Sequence, residues 1–299
     1  MRLAAAVHWL VDGRISRPRA EAIAGVGRQR FASALALWRA DRRAAGHDAA
    51  QATYAVELLG QPAVYRLEAG GRRVELDWKL HKALETVAFL ALAPGRRATK
   101  EEIVEAVWWE AGSDAVEKNF HPTLSFARRS LGDRSALVLK NGSYLLDPDL
   151  GWEVDALRFA DLVAAGDEHA EAAADRAIEL WRSAWDLYRG PLMYGRDSPW
   201  ILPRREALRR VYLRMLADLG GAAEERGEET LALDAYRSVL IEDPYDERIH
   251  LRMLTLYSRQ GRRDLLRRQY IRLQELLRRE LGEEPSEETQ ERYHRLMGK

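Results

Sequence analysis

The 299-residue chain contains no cysteine. Neither disulfides nor thiolate metal sites can therefore hold it together, and the absence fits a reducing cytoplasm. No apolar run approaches the ~20 residues that a membrane helix needs, so no membrane partner is expected. The opening MRLAAAVHWLVDGR has a short apolar stretch, but the SRPRAEAIAGVGRQR after it reads as amphipathic helix rather than as the flank of a signal peptide. Neither charge is in excess: 47 Lys and Arg stand against 47 Asp and Glu. That excludes a chain coated in basic surface, though nucleic-acid binding needs only a local patch. Catalytic patterns are missing too. GVGRQR lacks the length and the lysine of a phosphate loop. None of His8, His47, His81, His121, His169, His250 and His294 pairs at a metal-ligand spacing. No enzyme, metal or cofactor is expected.

What is present is sorted by position. Residues 1–53 hold nine basic and four acidic residues, net +5; 54–150 are net −1 and 151–299 net −4. Residues 4–43 read as a helical extension. Within it, Ile23, Val26, Phe31, Leu35 and Trp38 fall on a rough helical period interrupted by Gly25 and Gly27. A packed extension and a second helix-turn-helix both fit. DRRAAGHDAAQ reads as a linker.

From Thr53 the period changes to two. TYAVELLG, AVYRLEA and RRVELDW predict three short strands, with Gly60 and Gly70-Gly71 as turns. KLHKALETVAFLALA predicts a helix that Pro94-Gly95 ends. The next helix opens on a capping box, Thr99 with Glu102 three residues on.

Residues 114–131 carry the strongest functional signal. Phe120, Leu124, Ala127 and Leu131 fall at i, i+4, i+7 and i+11, so they line one helical face. Lys118, Asn119, Thr123, Ser125, Arg128 and Arg129 are read as the outward residues, donors and cations suited to phosphates and base edges. His121 reads either as a DNA-facing group or as a cap. Pro122 predicts one bent helix, or a main helix starting near His121 with the proline in its first turn. ALVLK, Asn141-Gly142 and SYLL then predict a hairpin on a type I′ turn, with Lys140 and Asn141 at the tip within reach of a phosphate. Thr99 and Lys100 open the preceding helix, whose free amides and positive dipole end could hold another.

From Val154 on, the sequence reads as helical throughout, over 155–165, 168–189, 200–226, 229–242, 246–259, 262–280 and 286–297. Gly227 with Gly261, and Tyr236 with Tyr270, stand 34 residues apart, the period of tetratricopeptide helix pairs. Such pairs must stack to bury a core, and stacking leaves a surface for a partner. Trp181, Trp185 and Trp200 are expected in the core, although an acidic, tryptophan-rich groove that holds a small-molecule effector also fits.

Tyr54 to Leu146 resembles an OmpR-type winged helix, with KNFHPTLSFARRSLG as its recognition helix. Ala127 stands where that family usually has leucine. VDALRF, AIELWRSAWDLYRGPLM, SPWILPRREALRRVYLRML, EDPYDERIH and ELGEEPSEET, in this order, resemble the bacterial transcriptional activator domain. The combination resembles the Streptomyces antibiotic regulatory protein family. The fold expected is mainly α: a helical extension over 1–53, a winged helix-turn-helix domain over 54–150, and an all-α tetratricopeptide-like domain over 151–299. The resemblance implies a cytoplasmic transcription activator that binds double-stranded promoter DNA, often as side-by-side protomers on direct repeats, and contacts RNA polymerase. An alternative class is an interaction scaffold or ligand-sensing regulator whose winged domain binds protein.

Overall fold

The structure is a computed structural model that describes residues 52–68 and 71–298. Of the helical extension expected over residues 1–53, with its second helix-turn-helix reading and linker, residues 1–51 lie outside the described residues, and Ala52 and Thr53 belong to a strand. The described chain divides into two compact units. One comprises the residues up to Ala160 together with Leu187–Arg209. The other comprises Asp161–Asp186 and the residues from Arg210 on.

The first unit opens as the period-two pattern predicts. Strands β1 (Ala52–Glu57), β2 (Ala63–Leu67) and β3 (Arg73–Glu75) form an antiparallel meander, with Val56 opposite Val64 and Arg66 opposite Val74. Helix α1 (His81–Leu92) buries Leu84, Val87 and Leu90. A short strand, β4 (Arg97–Thr99), leads into α2 (Lys100–Val107). Next come α3 (Ser113–Leu131) and the hairpin of β5 (Leu137–Lys140) and β6 (Ser143–Leu146). Strands β4, β6 and β5 form a second, three-stranded sheet. Three helices followed by a hairpin make the winged-helix layout.

The sequence pattern predicts no strand between the hairpin and the helical region. The structure has one, β7 (Gly151–Val154), pairing parallel to β1 with Tyr54 opposite Trp152. GWEV is too short for its alternation to register, and its partner lies about a hundred residues away in sequence. Trp152 stacks on Tyr54 with ring centroids 4.5 Å apart, and the Tyr54 hydroxyl donates to the Leu131 carbonyl at 2.9 Å. The first sheet thus holds the C-terminal end of α3.

Residues 187–209 also belong to this unit. Gly60 N–H donates to the Pro191 carbonyl at 3.1 Å, and Met193 N–H to the Leu58 carbonyl at 2.7 Å. Trp200 meets the Phe89 ring edge-on at 5.3 Å, and its indole N–H donates to buried Glu85 at 2.9 Å. Asp155 opens α4 (Asp155–His169), and its carboxylate accepts from the Leu58, Leu59 and Ala156 amides at 2.7–2.9 Å. Burial pushes the Asp155 carboxyl up, against those bonds and the Arg189 charge.

The second unit is all helical. It contains the later part of α4, most of α5 (Ala174–Leu187) and α6 (Ile201–Glu225), and all of α7 (Glu229–Glu242), α8 (Glu247–Arg259), α9 (Arg263–Glu280) and α10 (Glu287–Met297). The 34-residue period is physical: α7 and α9 begin 34 residues apart, each after a glycine at positive φ (Gly227 at 75° and Gly261 at 68°), and Tyr236 and Tyr270 are both buried. Small residues permit the close packing. A Cβ on Gly220 would fall 2.3 Å from the Tyr236 ring, and one on Gly166 2.4 Å from the Trp181 indole.

Candidate nucleic-acid interface

Helix α3 is one helix through Pro122, so the reading that starts it near His121 does not hold. Proline supplies no N–H for the Lys118 carbonyl. Because Pro122 is exposed, that carbonyl can turn to solvent. Gly132, left-handed at φ 73°, closes the helix.

The buried face is the one the spacing predicts: Phe120, Leu124, Ala127 and Leu131 are all fully buried. Phe120 lies 5.4 Å from Tyr144 of β6 and 5.5 Å from Trp108, so α3 rests on the hairpin sheet and on the end of α2. The opposite face presents Lys118, His121, Ser125 and Arg129, all exposed. Their offsets, i, i+3, i+7 and i+11, mirror the buried row.

Two residues read as outward are not. Thr123 is 3% exposed, and its hydroxyl donates to the Asn119 carbonyl at 2.8 Å. The reason is periodic: Thr123 stands three residues after Phe120 and four before Ala127, within the buried stripe. Arg128 is half-buried, and its Nε–H donates to the Leu137 carbonyl at 2.7 Å. It lies four residues after Leu124, at the edge of the core, where its guanidinium ties α3 to the start of the wing. Asn119 is exposed, but its amide donates to the Ala115 carbonyl at 2.7 Å. His121 is mid-helix, edge-on to Phe120 at 5.4 Å, and so is not a cap.

The hairpin tip has the backbone that a type I′ turn requires, with Asn141 at φ 52° and Gly142 at φ 76°. Lys140 and Asn141 are exposed there. Leu139, just before them, is 58% exposed, a feature the apolar reading of ALVLK did not separate from its buried neighbours.

The start of α2 is already occupied. The Thr99 N–H donates to Glu102 at 2.8 Å and the Glu102 N–H donates to the Thr99 hydroxyl at 3.2 Å, the predicted capping box. Glu101 and Glu102 fill the first turn. Carboxylates at a positive helix end satisfy the dipole that a phosphate would otherwise use. Lys100 lies with its ammonium 5.5 Å from the Phe120 ring. Phosphate capture by the opening amides of this helix is therefore disfavoured.

Sequence comparison adds to this geometry. Residues 154–297 match the bacterial transcriptional activator domain family. The chain is 30% identical over 214 residues to the regulatory protein AfsR of Streptomyces coelicolor, covering 71% of this chain and 21% of AfsR. It is 28% identical over 254 residues to the transcriptional regulator RedD of the same organism, covering 81% of this chain and 70% of RedD. In these matches the chain is similar to the Streptomyces antibiotic regulatory protein-like transcription regulators, and residues 154–297 carry the activator domain that matches the family model. The chain spans about a fifth of AfsR. Its fold is shared with Mycobacterium tuberculosis EmbR, solved in complex with a low affinity phosphopeptide, at a TM-score of 0.63 and 22% identity over 82% of this chain and 65% of that one. A winged helix followed by a tetratricopeptide-like array is thus the architecture of this chain. No described helix is long and apolar enough to cross a membrane.

Proposed function

We propose that this chain is a transcription regulator that binds specific promoter DNA through its winged domain, as an activator in the cytoplasm. Residues 54–150 form the reader, completed by β7 and residues 187–209. Residues 151–299 carry the surfaces for a neighbouring protomer on direct repeats, for RNA polymerase and for any small-molecule effector. The observation that carries the reading is the exposed row Lys118, His121, Ser125 and Arg129, on a helix whose opposite face is locked into the core. Ser125 and His121 suit base edges, whereas Lys118, Arg129 and the wing-tip Lys140 and Asn141 suit phosphates. Arg128 supports the site by holding the wing rather than by reading bases.

Selection of bound duplexes from random-sequence DNA tests this directly. A reader yields a motif with a repeat spacing, and its affinity falls steeply with salt as counterions are released. A pool that never enriches, with binding flat in salt, removes the proposal.

A second reading, a winged domain that binds protein, draws on Trp109 and Leu139, which are 49% and 58% exposed. Apolar groups of this kind anchor protein contacts. In that case the duplex selection fails while Trp109→Ala weakens capture of the partner.

A further inference from the structure

The second unit holds a charge arrangement that the function so far leaves unused. Residues 259–272 carry six arginines and one acidic residue, net +5, although the whole of 151–299 is net −4. Most arginines elsewhere in this unit are neutralised at short range. Arg176 lies 2.7 Å from Glu179, Arg214 2.8 Å from Asp167, Arg226 3.2 Å from Asp175 and Arg237 2.7 Å from Asp234. Arg259 approaches Glu224 at 3.5 Å. The remaining five, Arg262, Arg263, Arg267, Arg268 and Arg272, are exposed and form no salt bridge among the described residues.

The helix explains why they are exposed. Leu266, Tyr270, Leu273 and Leu277 of α9 are buried at i, i+4, i+7 and i+11, so the core takes one stripe and leaves the rest outward. Asp264, in the first turn, is where the helix dipole favours a carboxylate. Like charges four residues apart, as at Arg263 with Arg267 and Arg268 with Arg272, work against the helix. The fold gains nothing from keeping them.

We propose that the exposed arginines of α9 bind the phosphate backbone of duplex DNA without reading its sequence. This rests on the DNA reading given above and adds a second contact surface, on the activator domain. From residue 263 to 272 these arginines, as the two pairs Arg263 with Arg267 and Arg268 with Arg272, span about 14 Å of helix, the axial length of about four base pairs at ~3.4 Å each. Clustering along a helix is the electrostatic footprint of a nucleic-acid contact. Arginine also meets phosphate with paired N–H donors. A protein partner would ask for buried aromatic or apolar anchors. Within the row the one large apolar side chain in the open is Ile271, at 36% exposure.

The test uses the full chain with Arg267→Gln, Arg268→Gln and Arg272→Gln combined, and a second variant with lysine at the same three positions. Affinity is measured by fluorescence anisotropy across a salt series, on a duplex obtained by selection and on a random-sequence duplex of the same length. The glutamine variant is expected to lose roughly 2–3 from the log–log salt slope, at about 0.9 per phosphate, and on the order of a hundredfold in affinity at 0.1 M salt on both duplexes. The lysine variant, charged and equally exposed, is expected to retain the slope. An unaltered slope in the glutamine variant of a chain that does bind DNA overturns the proposal and leaves the winged-domain reading standing. A parent chain that binds neither duplex overturns both. If duplex binding is intact in the glutamine variant while binding of poly-L-glutamate is lost, the face belongs to an acidic protein and the proposal is wrong.

Discussion

Arg128→Ala separates a structural arginine from a DNA-reading one. In the structure the Arg128 Nε–H donates to the Leu137 carbonyl at 2.7 Å, and Leu137 starts the wing strand that pairs with Leu146. A hydrogen bond from a charged donor contributes about 1.5–3 kcal/mol, and its removal leaves a carbonyl of fully buried Leu137 without that donor. For a protein of this size, each kcal/mol moves the melting temperature by about 2–4 °C. The variant should therefore melt roughly 3–12 °C lower in the transition that includes the winged domain. Its DNA affinity should fall through a loosened wing, equally across sequences and without a change in the preferred bases. Arg129→Ala, one residue on and exposed, should leave melting within about 0.5 kcal/mol of the parent and lower the salt slope by about 0.9. Thermal denaturation followed by circular dichroism, with anisotropy on the selected duplex and its single-base variants, reads both effects. If Arg128→Ala melts like the parent and relaxes base choice at one position, the guanidinium is free to reach DNA and the placement argued here is wrong.

Other consequences can be measured without DNA. Gly220→Ala puts a methyl group where the Tyr236 ring stands, 2.3 Å from the new Cβ; overpacking of this kind costs about 1–3 kcal/mol, and urea unfolding that matches the parent would contradict the packing. His250 is buried, with its ring nitrogens at the Pro244 carbonyl (3.1 Å) and the Gln269 amide (2.8 Å); burial first, and the nearby Arg272 charge, hold its pKa below the usual imidazole value. An unfolded imidazole takes up its proton near pH 6.5 and the folded one only at lower pH, so this group's contribution is complete above ~6.5 and declines as pH falls through its folded value. An NMR titration that places the His250 midpoint at or above 6.5 would reverse that sign. A chain cut at residue 150 loses β7, the Trp152 stack on Tyr54 and the Trp200 contact with Phe89 and Glu85. Loss of a buried tryptophan alone costs about 3–5 kcal/mol, so the fragment should lack a cooperative melt, and one within a few degrees of the full chain would show that these contacts contribute little.

How much was legible in the sequence follows the range of the interaction concerned. The α3 core row, the Thr99–Glu102 capping box and the Asn141-Gly142 turn rest on residues at most a few turns apart, and local periodicity gave each of them correctly. The strand at Gly151–Val154 and the docking of residues 187–209 depend on pairing across about a hundred residues, which no local pattern encodes. The site residues divide by a finer criterion. Lys118, Ser125 and Arg129 lie opposite the buried stripe, so their exposure follows from the helix period alone. Thr123 lies within the stripe and Arg128 at its edge, where polarity suggests solvent and geometry decides otherwise: a short hydroxyl side chain can satisfy itself on the preceding turn, and a long arginine can bury its stem and place its donor on a neighbouring carbonyl. The helical array shows the same division between local pattern and packing. One cleft of about 570 Å³ in the second unit is lined by Arg252, Arg259, Arg292, Glu224 and Glu247 among others, with no aromatic side chain, whereas Trp181 and Tyr236 are buried closing the contacts against Gly166 and Gly220. Composition counts these aromatic groups, but only their packing against glycine shows that Trp181 and Tyr236 are structural.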